Sequence, residues 1–283
     1  LFPRAPDQHK PGKPLIPNGL GVIFVLFTIV YLFLIYFTGI ISPVNNVSAP
    51  LTLAVCVLFG GFMGLLDDWI DLKWRYKAFM PLIAALPLIY FVSNSGLRTS
   101  ISLPFIGVLQ FNEMYYFLII PLIVMIVTNT INQLGGLNGL ETICPAIVLT
   151  GLIILSSSYI LMLVPLLVWL ILAFFNFQGK IFVGNTGSFA IGMTIASFAI
   201  ITDLKSSLII SILPFVFNSI LILLSIFLIR KRASVNFDGK KLCSQHKRSL
   251  VTLITFKRYL TEKQVVIIIS LIVAIFTILS IFL

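Results

Sequence analysis

Long apolar runs recur along nearly the whole chain, and each must satisfy its backbone hydrogen bonds internally if it lies in hydrocarbon. Nine are read from the sequence: about Gly21–Ile41, Ala49–Leu66, Ala78–Val92, Met114–Ile131, Ile143–Leu155, Tyr159–Phe175, Phe189–Thr202, Leu208–Ile229 and Gln264–Leu283. A membrane barrel would alternate apolar and polar residues along short strands, and these runs do not. The expected fold class is therefore all-α: a polytopic transmembrane helical bundle. With 59% of its 283 residues hydrophobic, the chain leaves no room for a separate soluble domain. One integral-membrane domain over residues 1–283 is expected, with a basic loop at 230–263 inside it. Turn residues and alternation around Arg98–Leu103 and Val108–Phe111 suggest a short hairpin between spans.

Orientation follows from the cations. Loops assigned alternately to two sides place 17 of the 19 Lys and Arg on one side, leaving Arg98 and Lys205 on the other. The positive-inside rule makes the first side cytoplasmic and the C-terminus external. Most of the net charge of +10 sits on that cytoplasmic face and would attract anionic lipid or phosphorylated substrates. Every unusual polar segment falls there too, whereas the external loops read as short or bland. Chemistry confined to one face suits an enzyme better than a transporter, which needs polar groups at mid-membrane and on both faces. Cys56, Cys144 and Cys243 are scattered without metal-ligand spacing, so neither a zinc site nor a disulfide framework is implied. The polar, proline-rich start at Leu1 is unlike a signal peptide and suggests that the numbering begins inside a longer protein.

The densest charge cluster is LLDDWIDLKWRYK, residues 65–77, where Asp67, Asp68 and Asp71 meet Lys73, Arg75 and Lys77. Such charges belong at a helix end facing water or in a polar cavity. A plain charged cap at the membrane edge is the alternative. On a helix Asp67 and Asp68 point about 100° apart, which suits two roles better than one shared proton. One could hold a divalent cation while the other orients or deprotonates a nucleophile, and Lys77 could neutralise a phosphate.

NTINQLGGLNGLE follows at 129–141. Asn129 and Asn132 share a helix face, Asn138 lies beyond the glycines, and amide carbonyls are hard oxygen ligands. The glycines allow a bulky ligand to approach, or simply break the helix. In FVGNTGS, 182–188, a glycine turn with Asn185, Thr186 and Ser188 opens a helix whose N-terminus favours phosphate. Phe182 could stack on a nucleobase, although spacing alone favours packing. The cations of the last loop, Arg230 and Arg232 among them, read first as a solvated membrane-surface loop, and His9 and His246 carry no assignment.

These three motifs, in this order and spacing, together with APDQHKPGKPLIPNGLG near the start, resemble the polyprenyl-phosphate N-acetylhexosamine-1-phosphate transferases, glycosyltransferase family 4. The form DLKWRYK with NTINQLGGLNGLE looks closest to the eukaryotic and archaeal branch that uses UDP-N-acetylglucosamine and dolichyl phosphate. The His-rich motif usual in the last cytoplasmic loop of bacterial relatives is absent from this sequence, which has only His246 there. The resemblance implies ten membrane helices, the first preceding the numbered chain. It implies transfer of N-acetylglucosamine-1-phosphate to a membrane polyprenyl (dolichyl) phosphate with release of UMP, the first lipid-linked step of N-glycan assembly.

By motif position the resemblance makes Asp67 and Asp68 the catalytic acids and Lys77 a phosphate contact. Asn132 and Asn185 fall at metal positions for Mg2+, with Mn2+ as a substitute. Asn138 and Phe182 fall where uracil is held, beside Gly184. Arg230 and Arg232 resemble an Arg-x-Arg element near the donor diphosphate. The implied partners are UDP-GlcNAc and the lipid phosphate, with no nucleic acid and with a homodimer left open. The implied location is the cell membrane of a prokaryote or the endoplasmic reticulum of a eukaryote. One departure stands out: the family usually has Asp where this chain has Asn185. A catalytically weakened homologue, or a transporter of lipid or nucleotide sugar, are the alternative readings.

Overall fold

Pro6, Pro11, Pro14 and Pro17 deny the N-terminal segment a helix. In the computed structural model, which describes residues 2–104 and 106–283, this segment forms an antiparallel hairpin of β1 (Arg4–Pro6) and β2 (Leu15–Pro17). The question of what precedes Leu1 lies outside the described residues.

Helices follow in the order the apolar runs predict. α1 (Gly21–Thr38) and α2 (Ala49–Ile70) are continuous, whereas the third run divides into α3 (Trp74–Ala84) and α4 (Leu86–Ser95). The division at Ala85 lies between Pro81 and Pro87, each of which lacks the N–H a helix interior needs. The expected hairpin is present as β3 (Ser100–Leu103) paired with β4 (Gly107–Gln110). A π-helical turn at Tyr115–Ile119 leads into α5 (Ile120–Gln133). α6 (Leu140–Leu155), α7 (Leu163–Phe177) and α8 (Gly184–Ile201) come next.

The eighth run is bent by 53° between α9 (Lys205–Ser211) and α10 (Leu213–Leu224) with its π-helical extension to Ile229. Pro214 accounts for the break, since it cannot donate to Ile210. The basic segment is not a bare loop: it carries β5 (Asn236–Phe237), β6 (Leu242–Cys243) and the short α11 (Leu250–Ile254). α12 (Glu262–Phe282) closes the chain. Among the described residues seven helices are long and apolar enough to cross a membrane, or eight if the bent pair is one span, and the 16-residue α6 is a shorter apolar helix. The protein is an integral membrane protein of the all-α class. All three cysteines are buried and free.

α8 is the axis of the bundle. Every residue from Thr186 to Ile201 is buried, with α1, α2, α5 and α6 packed around it. Between helices in lipid, association relies on close van der Waals contact, which small residues permit. Gly60 of α2 illustrates this, since a Cβ there would sit 2.7 Å from Met193 Cβ and 2.9 Å from the Phe189 carbonyl. Likewise a Cβ on Gly192 would come within 2.9 Å of Thr128 Cα on α5.

The other end of the bundle is less bland than the sequence suggested. Lys205, only 3% exposed, pairs with Asp203 at 2.6 Å and donates to the Arg98 carbonyl, while Arg98 Nε bonds Asp203 Oδ2 at 2.7 Å. The cluster staples the β3–β4 segment to the α8–α9 turn, and its charges are paired with one another.

Candidate active site

α2 stops where Asp71 takes a left-handed conformation, φ +45°, and the side chain of Asp67 closes the turn. Its Oδ1 accepts the Leu72 N–H at 3.0 Å and pairs with Lys77 Nζ at 2.8 Å. Lys77 also reaches Asp71 at 3.3 Å, so one ammonium joins two of the three acids of the motif. Asp67 is 3% exposed, and its Oδ2 has no hydrogen-bond partner among the described residues.

Asp68, the next residue, turns the other way and caps α8. Its Oδ1 accepts the Asn185 N–H at 2.9 Å, and its Oδ2 accepts both the N–H and the hydroxyl of Thr186, at 2.9 and 2.7 Å. The first N–H groups of a helix lack partners within it, and their dipoles favour a carboxylate. Asp68 thus meets both needs from a different helix. The divergence expected of adjacent acids is realised as two separate anchorages. Gly184 makes the approach feasible: its φ is +69°, and a Cβ there would lie 2.8 Å from Asp68 Oδ2 and 3.1 Å from Gly19 Cα. The preceding residues are held against the exit of the N-terminal hairpin, where Phe182 N–H donates to the Pro17 carbonyl at 2.8 Å and Gly21 N–H to the Val183 carbonyl at 2.9 Å.

From α5, Asn132 Oδ1 accepts the Ser188 hydroxyl at 2.7 Å and so reaches the first turn of α8. Asn129 instead donates to the Met125 and Ala78 carbonyls and ties α5 to α3. Beyond the glycine break, Asn176 of α7 is fully buried. Its Oδ1 accepts the Gly139 N–H at 2.8 Å and the Thr142 hydroxyl at 3.0 Å, pinning the break to the neighbouring helix. Asn138 is 5% exposed and donates its amide to Asp7 Oδ2 at 2.8 Å and Glu262 Oε1 at 3.0 Å.

These elements enclose a cavity of about 300 Å3, whose wall includes Asp68, Asn138, Phe182, Gly184 and Asn185 with Asp7, Asn18 and Glu141. A second cavity of about 310 Å3, walled in part by Gln133, Asn218, Ser234 and Thr252, shares His9, Gly136 and Leu137 with the first. Five of the residues singled out in the sequence therefore meet on one wall. Asn132 bonds Ser188, whose hydroxyl also reaches the carbonyl of Asn185, and the Asp67–Lys77 pair links the last turn of α2 to the first turn of α3. Arg230 and Arg232 are exposed and line neither cavity; Arg232 contributes only a carbonyl that accepts from Arg248. His246 bonds Ser234 at 3.2 Å, and partial burial, then the Arg248 charge, push its pKa below the ordinary imidazole value, which leaves it neutral near pH 7.

Asp7, Asn18, Glu141 and Glu262 were not singled out by sequence. Asp7, Asn18 and Glu141 lie inside segments that carried the resemblance, and that was the available signal. Glu262 gave none, because an acid in the first turn of a helix reads as an ordinary cap.

A family model described as glycosyl transferase family 4 matches residues 50–203, the stretch that holds Asp67, Asp68, Asn132, Asn138, Phe182 and Asn185. A Saccharolobus solfataricus protein provisionally named UDP-N-acetylglucosamine–dolichyl-phosphate N-acetylglucosaminephosphotransferase is 30% identical, over 98% of this chain and 87% of its own. The Dictyostelium discoideum protein with that enzyme name is 27% identical over 75% of this chain and 62% of its own. A phospho-N-acetylmuramoyl-pentapeptide-transferase of Clostridium perfringens is 29% identical over 84% and 75%. With the family model matching more than half of the sequence, and a relative aligning along nearly all of it, the chain belongs to glycosyl transferase family 4.

Proposed function

We propose that the protein transfers N-acetylglucosamine-1-phosphate from UDP-N-acetylglucosamine to a membrane polyprenyl phosphate of the dolichyl type, the first lipid-linked step of N-glycan assembly. The observation that carries this reading is the junction of Asp68 with the N-terminus of α8, on the wall of a cavity that also holds Asn138 and Phe182. That junction occurs in a chain aligned nearly end to end with a relative of this name. An oxygen of the lipid phosphate attacks the β-phosphorus of the donor. The bond from that phosphorus to the bridging oxygen breaks, and UMP leaves with the electron pair.

The protein's part is placement and charge. Asp68 occupies the first N–H groups of α8, which are then not free to hold the diphosphate, and its role is to fix the first turn of that helix and Asn185 in the cavity wall. Lys77 spreads positive charge toward the same turn, and Phe182 offers a face for the base. The basic segment at 230–263, with Arg230 and Arg232, draws anionic substrates toward the cytoplasmic face.

The donor set fits a hard divalent cation. Asp67 Oδ2 is buried and has no hydrogen-bond partner among the described residues, Asn132 of α5 reaches α8 through Ser188, and Asn185 is the second residue of α8; the amides carry hard oxygen ligands. These three would hold Mg2+, which when bound would offset the charge of the diphosphate. Purified protein in lipid nanodiscs should release UMP from UDP-N-acetylglucosamine only with a polyprenyl phosphate present. EDTA should abolish release, and added Mg2+ should restore it. Failure to release UMP under any divalent cation would overturn the proposal. Asn185→Asp adds a formal charge to the donor set, so the Mg2+ concentration for half-maximal rate should fall about threefold to tenfold, read from a Mg2+ titration of the same assay.

A further inference from the structure

An amide side chain has two unlike ends, and in Asn138 one end is already spent. Its NH2 meets two carboxylate oxygens, Asp7 Oδ2 at 2.8 Å and Glu262 Oε1 at 3.0 Å, and its backbone N–H donates to the same Glu262 oxygen at 2.8 Å. Turning the amide over would set its carbonyl against two carboxylates, which offer no proton to it. The orientation is therefore imposed, and the free end is the acceptor. That Oδ1 is buried and has no hydrogen-bond partner among the described residues, on a side chain 5% exposed in the wall of the cavity.

The two carboxylates are themselves held. Asp7, 2% exposed, is paired with Lys10 at 3.3 Å, and Lys10 reaches on to the Gly179 carbonyl at 3.3 Å. Glu262 stands in the first turn of α12 directly after Thr261, whose side chain caps that helix together with Gln264. Asp7, His9 and Glu262 lie close enough to suggest a cation site. The Lys10 ammonium and the Asn138 NH2 already occupy that position with positive charge and donors, and they argue against a metal there.

We propose that Asp7 and Glu262 are positioning residues that make Asn138 an acceptor-only reader of the base in this cavity. A base presenting a ring N–H, as uracil does, then supplies the missing partner. Cytosine presents a bare ring nitrogen at the same place, and two lone pairs would face each other. The inference rests on the uridine-nucleotide reading above and goes further, since it assigns the choice of base to two acids outside the three motifs.

The test is binding of UMP and of CMP to the full chain in nanodiscs, beside turnover of UDP-N-acetylglucosamine. The wild type should prefer UMP. Glu262→Ala should weaken UMP about tenfold with CMP little changed, raising KM more than it lowers kcat. Glu262→Gln keeps an acceptor oxygen and should bring most of the preference back, and Asp7→Ala should repeat the loss from the other side. A merely structural role would weaken both nucleotides alike and leave their ratio intact, which would overturn the inference. Preference kept in both alanine variants would overturn it as well, with the nucleotide reading untouched. A wild type that shows no preference for UMP would overturn both.

Discussion

Asp68→Ala should lower UMP release by about a thousandfold, on the scale that loss of a preorganised charged contact in a low-dielectric site has in enzymes. The carboxylate satisfies three donors at once, the N–H groups of Asn185 and Thr186 and the Thr186 hydroxyl, and alanine satisfies none. Unpartnered donors at the head of a buried helix pull in water or shift the helix, and Asn185 moves with it. Asp68→Asn keeps one acceptor oxygen and should fall between the two. Activity of Asp68→Ala within tenfold of wild type would show that the junction does not hold the reacting geometry.

The second large effect should come from a glycine with no polar group to lose. A Cβ on Gly64 would fall on the carbonyl carbon and oxygen of Asn185 and on Thr186 Cα. All three are backbone atoms, so nothing can swing aside, and α2 and α8 must separate or slide one turn below Asp68. Gly64→Ala should destabilise the protein by about 3 kcal/mol, at the upper end for overpacking a tight core. Loss of activity should exceed what the lowered folded fraction explains. Thermal unfolding in detergent, run beside the UMP assay at a temperature where the variant is folded, separates the two. A variant with wild-type Tm would mean that the two helices are not packed as tightly as described.

The fold was legible because hydrocarbon imposes one solution on long apolar runs: each of the nine expected runs carries helix, although among the described residues seven helices, or eight with the bent pair joined, are long and apolar enough to cross a membrane. What the runs did not disclose is where they break. Pro81, Pro87 and Pro214 were visible as residues, but whether a proline bends a helix or is absorbed depends on its neighbours, and the 53° bend before α10 is a tertiary outcome. In the site, Asp68, Asn138 and Asn185 stood out because polar clusters are expensive beside apolar spans, whereas Phe182 was marked only by the family resemblance. Asp7 and Glu262 did not, because each alone is an unremarkable surface acid, and only folding brings both to the Asn138 amide. Arg230 and Arg232 differ: a cationic pair suited by chemistry to a diphosphate stands exposed, outside both cavity walls.

The place of Glu262 in the chain bears on biogenesis. It opens the final helix, so a polypeptide arrested before that point lacks the carboxylate that receives the Asn138 backbone and side chain. A bundle with every earlier helix already in place would still have an unfinished pocket. Completion of the pocket around Asn138 therefore waits on this helix, and a chain cut before Thr261 would leave the Asn138 amide without one of the two carboxylates that fix it.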